Sequence, residues 1–258
     1  MSESEGPYAG MARAWAADAT LAYAPLARHL IARLPPGQVR GAVALDAGAG
    51  SGAAGAVLRE GGARVVAADR EFDMASYAGT AGPAVTGDVT ALPFRSGSFD
   101  IVVAAFVVNH LPDPVSGLSE LRRVSRPGGA VLLSVFSDRR DAAKDAVDQA
   151  AEAHGFVRPT WYTDLQRHAH AVGTTASLER ALAAAGFTEA VVFEEPVDVG
   201  LRSPEDLVRY RLAIPHLHAF AASLSPPRRA AFVADAVSAV GELGGRFAPE
   251  VLEAVAVP

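Results

Sequence analysis

The sequence predicts an α/β fold, a Rossmann-like doubly wound sheet, and three observations support this. Short apolar runs alternate with segments of helical periodicity between about residues 42 and 136. The apolar runs, such as Ile101-Val102-Val103-Ala104-Ala105-Phe106, lack polar alternation, as expected of strands buried on both faces. A glycine-rich turn, Gly48-Ala49-Gly50-Ser51-Gly52, directly follows the first run. Strands separated by helices pair in parallel through right-handed crossovers, so we expect helices on both faces of one sheet.

The periodicity predicts the following elements in order. Residues 8–34 carry apolar side chains at helical spacing and stop at Pro35-Pro36-Gly37, which indicates one or two N-terminal helices. The core follows as strands 42–46, 63–68, 84–87, 99–106 and 130–136, with helices 52–61, 71–79 and 115–125.

The alternation ends after Phe136. Residues 138–185 are predicted to be helical, with an irregular stretch at 158–162, and 191–193 reads as a strand. Helices over 204–243 break at Ser225-Pro226-Pro227, and 251–257 is a plausible last strand. We therefore expect a single domain over 1–258, with a helical cap (1–40), a core (41–136), and helical insertions plus the last strands (137–258).

Composition narrows the class of protein. The chain of 258 residues has no cysteine, which excludes disulfides, thiolate nucleophiles and Cys-ligated metal sites. Its net charge of −6 disfavours a broad nucleic-acid surface and favours a small-molecule substrate. The apolar runs are too short to span a membrane, and the acidic N-terminus lacks the pattern of a signal peptide, so we expect a cytoplasmic protein.

The glycine turn is typical of a nucleotide site, and two cofactors compete for it. Gly50-Ser51-Gly52-Ala53-Ala54-Gly55 fits the dinucleotide fingerprint, and Asp69 lies 19 residues after Gly50, which would suit NAD and an oxidoreductase. Asp46, ahead of the glycines, would repel a pyrophosphate but could bind an ammonium group. No Tyr-x-x-x-Lys pair is present. A ligand with an amino-acid moiety is therefore favoured.

A third acid, Asp88, follows the third predicted strand in Gly87-Asp88-Val89-Thr90. A carboxylate there can accept a hydrogen bond from an exocyclic amine, the polar edge by which adenine is identified. Asp46, Asp69 and Asp88 all follow strands, and ligands of open α/β sheets bind at the carboxyl ends of strands. The sequence therefore predicts that these acids share one site.

These motifs together resemble a known family. The resemblance covers about residues 40–136 and rests on motifs in family order: Leu45-Asp46-Ala47-Gly48-Ala49-Gly50-Ser51-Gly52, Val66-Ala67-Ala68-Asp69-Arg70, Gly87-Asp88-Val89-Thr90-Ala91-Leu92-Pro93-Phe94, Phe99-Asp100-Ile101-Val102-Val103, His110-Leu111-Pro112-Asp113-Pro114 and Arg126-Pro127-Gly128-Gly129. The chain resembles the class I S-adenosylmethionine-dependent methyltransferases, in particular the small-molecule branch similar to ubiquinone- and menaquinone-biosynthesis enzymes.

The resemblance implies a cofactor, S-adenosyl-L-methionine, and a role for each motif. Asp46 and the turn of Gly48, Gly50 and Gly52 would hold the methionine portion. Asp69 would bind the ribose hydroxyls with Arg70 against the adenine, and Asp88 would bind the adenine amine with Val89 beside it. Ala105 and Phe106 would line the sulfonium side. The family fold has seven strands with an antiparallel last strand, so 191–194 and 251–257 would be its final pair.

The implied reaction is in-line methyl transfer to an O, N or C nucleophile of a small molecule, and it depends mainly on positioning. His110 is the first candidate for a general base, with helix packing as the alternative, and a histidine of 154–170 is the second. The side chains of Trp161 and Tyr162 either close over a hydrophobic or aromatic acceptor or bury the insertion.

Several interpretations stay open at this point. Trp15 and Tyr23 are read as helix packing, with a lid over the cofactor as the alternative. His168 and His170 face different directions on a helix, as do His216 and His218, so we expect no metal site. The composition suits specialised metabolism in a GC-rich bacterium, but the identity of the acceptor and the oligomeric state are not determined by the sequence. A protein that binds S-adenosylmethionine without transferring a methyl group is a further alternative.

Overall fold

The computed structural model describes residues 6–244 and 247–258, and within them seven strands form one sheet of order β3-β2-β1-β4-β5-β7-β6. The strands are β1 (Val43–Ala47), β2 (Arg64–Asp69), β3 (Ala84–Thr86), β4 (Phe99–Ala105), β5 (Ser125–Phe136), β6 (Glu189–Pro196) and β7 (Glu250–Val257). Strands β1 to β5 pair in parallel, whereas β7 is antiparallel to both β5 and β6. The predicted α/β fold with an antiparallel last strand is confirmed.

Helices cover both faces of this sheet and one edge of it. They are α1 (Ala12–Ala14), α2 (Thr20–Ile31), α3 (Ala53–Glu60), α4 (Phe72–Ala78), α5 (Pro114–Val124), α6 (Ala142–Ala153), α7 (Thr160–His170), α8 (Thr175–Ala184), α9 (Pro204–Leu212), α10 (Pro215–Ser223) and α11 (Pro226–Glu242). A π-helical turn, Trp15–Ala19, joins α1 to α2, and a 3₁₀ turn, Val108–His110, follows β4. The predicted break at Ser225-Pro226-Pro227 falls at the start of α11.

Alternate residues of the central strands enter two different apolar layers. Ile101 and Val103 of β4 pack with α2 and α3, whereas Val102 packs with α5 and α8 on the other face. All three side chains are fully buried. The unbroken apolar run of β4 therefore follows from burial on both faces. A third apolar layer joins Leu26 of α2, Phe106 after β4 and the helices α6, α9, α10 and α11.

Two element boundaries differ from those expected. β5 begins at Ser125, five residues before the predicted start, because a register shift opposite Phe99 and Ile101 accommodates the stretch around Pro127. Residues 160–162, expected to be irregular, form the first turn of α7 after Pro159. The predicted cap of 1–40 includes residues 1–5, and the predicted insertions include 245–246, and these lie outside the described residues.

An ion-pair network fixes the end of helix α2 to the strands β7 and β6. Glu253 of β7 is 1% exposed, and its carboxylate accepts hydrogen bonds from Arg33 Nε at 2.8 Å and His29 Nδ1 at 3.0 Å. Arg33 also pairs with Glu195 of β6, and its guanidinium lies 4.2 Å from the ring centroid of Phe193. The buried carboxylate therefore depends on the Arg33 cation and on a hydrogen bond from His29, both supplied by the N-terminal cap.

We predict that Arg33→Met lowers the free energy of unfolding by about 3 kcal/mol, because it leaves the buried Glu253 carboxylate short of a partner. Arg28→Met is the matched control, since Arg28 pairs with Glu60 where both side chains are more than half exposed. Such a surface pair contributes at most about 1 kcal/mol. Urea denaturation measures both variants, and equal effects would contradict the assignment.

Candidate active site

The turn after β1 has a backbone shape that requires glycine at three positions. Gly48, Gly50 and Gly52 have φ of +66°, +54° and +89°. At Gly48 a Cβ would come within 2.4 Å of a methyl carbon of Val107, so the turn also lies close to the segment after β4. Gly52 is the N-cap residue of α3 and has no side chain that could cap the helix. One N–H of the first turn, that of Gly55, donates instead to the Asp46 carboxylate.

Asp69, the last residue of β2, holds the glycine turn in place. Its carboxylate accepts one hydrogen bond from the Gly50 N–H at 2.7 Å and another from the Glu71 N–H at 2.9 Å. The residue is 7% exposed, and burial raises its pKa despite these two bonds. The carboxylate thus connects the turn after β1, the end of β2 and the start of α4.

Asp46 of β1 is directed at α3. Its Oδ2 accepts a hydrogen bond of 2.7 Å from the Gly55 N–H, and the residue is 2% exposed. Burial raises the pKa of this carboxyl to about 6, although the Gly55 bond and the charge of Arg59 act in the opposite direction. The observed bond positions the first turn of α3, and the expected contact with a cofactor ammonium stays a prediction.

Asp88 lies on the exposed side of the same edge. Its Oδ1 accepts hydrogen bonds from the N–H and the hydroxyl of Thr90, at 2.8 and 2.7 Å. Partial burial raises the pKa of Asp88, but the Thr90 bonds and the charge of Arg70 outweigh it, so the pKa lies below its usual value. Arg70 is exposed, whereas Val89 is buried. The arrangement keeps Asp88 ionised and able to accept a further bond.

The end of β4 carries backbone strain. Phe106 has φ of +58° and is, among the described residues, the non-glycine residue with a positive φ. Its N–H donates to the Ser134 carbonyl at 2.8 Å, and its ring packs 4.4 Å from Phe136 and 5.3 Å from Tyr23. Strain of this kind persists where surrounding contacts hold it, and it is common at functional sites. Ala105, next to it, is partly buried.

Aromatic side chains of the N-terminal cap cover the glycine turn. A Cβ on Gly50 would lie 3.5 Å from Trp15 Nε1, and the Trp15 ring stacks on Tyr23 with centroids 5.1 Å apart. Tyr8 contacts the edge of Trp15 at 5.4 Å. The contact of Trp15 with the turn favours the lid interpretation of the sequence over helix packing alone.

His110 ends the 3₁₀ turn after β4 and contacts the cap. Its Nδ1 and the Tyr8 hydroxyl are 3.4 Å apart, and the two rings are 5.7 Å apart. Burial lowers the pKa of His110 to about 4, and the charge of Arg70 lowers it further. The imidazole is therefore neutral and weakly basic at neutral pH. Its role as a general base stays a prediction.

Trp161 and Tyr162 lie in the first turn of α7, which packs against the turn of His110. The Tyr162 ring stacks on His216 with centroids 3.7 Å apart. No residue of α7 is fully buried, in contrast to the helices of the core. Elements with few buried contacts open at low cost in free energy, so α7 suits a cover over the site. Binding of a substrate by these residues stays a prediction.

Comparison with known proteins identifies the class. Residues 45–133 match a family model described as a methyltransferase domain. The chain is 36% identical over 126 residues to the demethylmenaquinone methyltransferase of Beutenbergia cavernae, covering 48% of this chain and 50% of that protein. It is 34% identical over 155 residues to the protein of the same name from Mycobacterium sp. strain KMS, covering 56% of this chain and 67% of that protein. The aligned segment thus spans half to two thirds of these relatives.

Solved structures agree on the fold. The phosphoethanolamine N-methyltransferase 2 of Haemonchus contortus in complex with S-adenosyl-L-methionine superposes with a TM-score of 0.57 at 19% identity, covering 90% of this chain and 52% of that one. The chain belongs to the class I S-adenosylmethionine-dependent methyltransferases, enzymes whose cofactor is S-adenosyl-L-methionine. The NAD-dependent alternative finds no support in these matches.

The residues at the sheet edge fit this cofactor by their hydrogen-bonding chemistry. S-adenosylmethionine offers donors at its ammonium, ribose hydroxyls and adenine amine, and the edge presents three acids, Asp46, Asp69 and Asp88. Its one carboxylate suits the N-terminus of α3, where the N-cap residue Gly52 has no side chain. Separately, no helix in residues 6–244 and 247–258 is long and apolar enough to cross a membrane.

We predict that His110 makes stability depend on pH. Its pKa is about 4 when folded against an ordinary 6.5, so the unfolded chain binds more protons between these values and the free energy of unfolding rises with pH across that interval. The rise should approach about 3 kcal/mol, and it should be absent from His110→Gln. Urea denaturation at both ends of the interval tests this, and parallel curves for the two proteins would contradict it.

Proposed function

We propose that this protein transfers the methyl group of S-adenosylmethionine to a nucleophile of a small, hydrophobic or aromatic molecule. The observation that carries the proposal is the convergence of the glycine turn, Asp69 and Asp88 at one sheet edge beneath aromatic side chains of the cap. Membership of the methyltransferase family supports the reaction class.

Each acid has a proposed part in binding the cofactor. Asp46 and the turn of Gly48, Gly50 and Gly52 hold the methionine portion at the start of α3. Asp69 keeps lone pairs beyond its two backbone bonds, and these accept from the ribose hydroxyls. Asp88, with Val89 beside it, accepts from the adenine amine. Arg70 lies against the adenine, and Ala105 and Phe106 line the sulfonium side.

The bound cofactor supplies a methyl group already activated by its positive sulfur. The residues of this chain therefore have to align the acceptor and keep water out, and such positioning lowers the barrier chiefly by removing unfavourable entropy. Phe106 is held at a strained φ by Phe136 and Tyr23, so it presents a fixed wall on the acceptor side. Trp15 and α7, with Trp161 and Tyr162, exclude water from above.

The aromatic side chains around Phe106 support a planar acceptor. The centroid of the Tyr23 ring lies 6.3 Å from that of Phe136 and 6.0 Å from that of Tyr210. The relatives are named for demethylmenaquinone. The family model ends at residue 133, however, and therefore does not include the helices α6 and α7. We therefore propose an aromatic acceptor class, and a role in specialised metabolism, without adopting the substrate of the relatives.

We also propose that 1–258 works as one domain in the cytoplasm, on a small molecule and not on nucleic acid. Cap, core and insertions share one apolar layer, which includes Leu26, Phe106 and Phe232. The net charge of −6 is unfavourable for nucleic-acid binding.

We predict that Asp69→Ala and Gly50→Val each weaken binding of S-adenosylhomocysteine at least about tenfold. The first removes the anchor of the turn and the ribose acceptor, and the second forces a β-branched residue into positive φ beside Trp15. Asp235→Ala, an exposed acid on α11, serves as the control and should bind normally. Calorimetry measures the three affinities, and unchanged affinity in both site variants would contradict the assignment.

We predict that incubation with S-adenosylmethionine and a panel of phenols and naphthols yields a methylated product and an equal amount of S-adenosylhomocysteine, seen by mass spectrometry. His110→Ala should lower the rate more than it lowers cofactor affinity. If the protein binds the cofactor but forms no methylated product with any acceptor of this class, the result would favour a protein that binds S-adenosylmethionine without transferring its methyl group.

A further inference from the structure

The composition of the chain singles out one cationic residue. Of its 23 basic side chains 22 are arginine, and Lys144 is its single lysine. Arginine is always protonated in proteins, whereas a lysine amine can lose and regain a proton. Among the lysine and arginine side chains, the one with that ability lies on α6, close to the end of β5.

The amine of Lys144 lies beside aromatic side chains at the end of β5. Its Nζ is 3.5 Å from the ring centroid of Phe136, the last residue of β5, and 5.4 Å from that of Phe247. The centroid of the Phe136 ring is in turn 4.4 Å from that of Phe106, the residue directly after β4. The amine of Lys144 and the ring of Phe106 therefore contact the same aromatic side chain.

The acids around Lys144 are committed to other partners. Asp141 caps α6 by accepting from two backbone N–H groups, Asp145 pairs with Arg140 at 2.8 Å, and Asp148 pairs with the buried Arg211 at 2.5 Å. None of the ion pairs among residues 6–244 and 247–258 includes Lys144. The amine therefore contacts the face of the Phe136 ring and can also interact with a ligand that binds beside it.

We propose that Lys144 binds the ionisable hydroxyl of an aromatic acceptor and takes its proton, so that the substrate class is a phenol or naphthol. This deepens the proposed function and rests on it. The acceptor O–H bond breaks, its proton moves to the neutral Nζ, and the electron pair stays on the acceptor oxygen. When the acceptor nucleophile bonds the methyl group, the electrons of the broken S–C bond return to sulfur, and the ammonium later releases its proton to water.

The surroundings of Lys144 suit this exchange. Burial lowers its pKa to about 7, Arg211 of α9 lowers it further, and Asp141, Asp148 and Asp145 act against both. The amine is therefore partly neutral at neutral pH, as a proton acceptor needs to be. His110, with a pKa of about 4, is a much weaker base.

The single lysine makes a direct test possible. Protein labelled with ¹³C,¹⁵N-lysine gives one Cε–Nζ signal, which is titrated with pH in the presence of S-adenosylhomocysteine, alone and with 2-naphthol. A bound naphtholate should stabilise the ammonium and raise the midpoint by at least about one pH unit. The matched probe 2-methoxynaphthalene, which has the ring but no ionisable hydroxyl, should leave the midpoint unchanged. An unmoved midpoint with 2-naphthol, or the same shift with both probes, overturns the proposal.

Variants give an independent readout by calorimetry. Lys144→Met keeps the length and packing of the side chain, and it should weaken binding of 2-naphthol about tenfold while affinities for 2-methoxynaphthalene and S-adenosylhomocysteine stay within about twofold. Equal affinity of Lys144→Met and wild type for 2-naphthol overturns the proposal. Failure of the wild type to bind S-adenosylhomocysteine overturns the proposed function itself. Calorimetry of S-adenosylhomocysteine without any acceptor detects that outcome separately.

Discussion

The two backbone hydrogen bonds accepted by Asp69 hold the architecture of the site. They join the turn after β1 to the end of β2 and the start of α4, and they fix Gly50 where Trp15 can pack on the turn. Because the turn then runs directly into α3, the same carboxylate helps to set where the N-terminus of that helix points. A buried carboxylate that accepts two backbone hydrogen bonds orders a loop strongly, because a hydrogen bond to a charged acceptor is stronger than a hydrogen bond between neutral groups.

The residues proposed to bind the cofactor and the residues that cover the site come from different parts of the sequence. The core that carries Asp46, Asp69 and Asp88 is built from elements close together in sequence, whereas the cover over it comes from Tyr8 and Trp15 at one end and α7 much later. The cap is fixed to strand β7 through Arg33 and Glu253. α7, with no fully buried residue, is the element of the cover best suited to open for exchange of ligands.

How far the sequence predicts this structure depends on the range of the forces involved. Apolar runs and glycines act locally, so the succession of strands and helices in the core and the turn at Gly48–Gly52 could be predicted directly. The start of β5 could not, because Pro127 and two glycines indicate a turn while pairing with β4 continues the strand. The contact of Trp15 with Gly50 and the ring under Lys144 depend on long-range packing. A signal for Lys144 did exist, since it is the single lysine of the chain.

We expect the carboxyl ends of the strands around Asp69 to bind S-adenosylmethionine and not a dinucleotide. Isothermal titration of the wild-type protein with S-adenosylhomocysteine and, separately, with NAD measures this preference. One S-adenosylhomocysteine should bind per chain, and the affinity for NAD should be weaker by at least about a hundredfold, or roughly 2.7 kcal/mol. Tighter binding of NAD than of S-adenosylhomocysteine would contradict it.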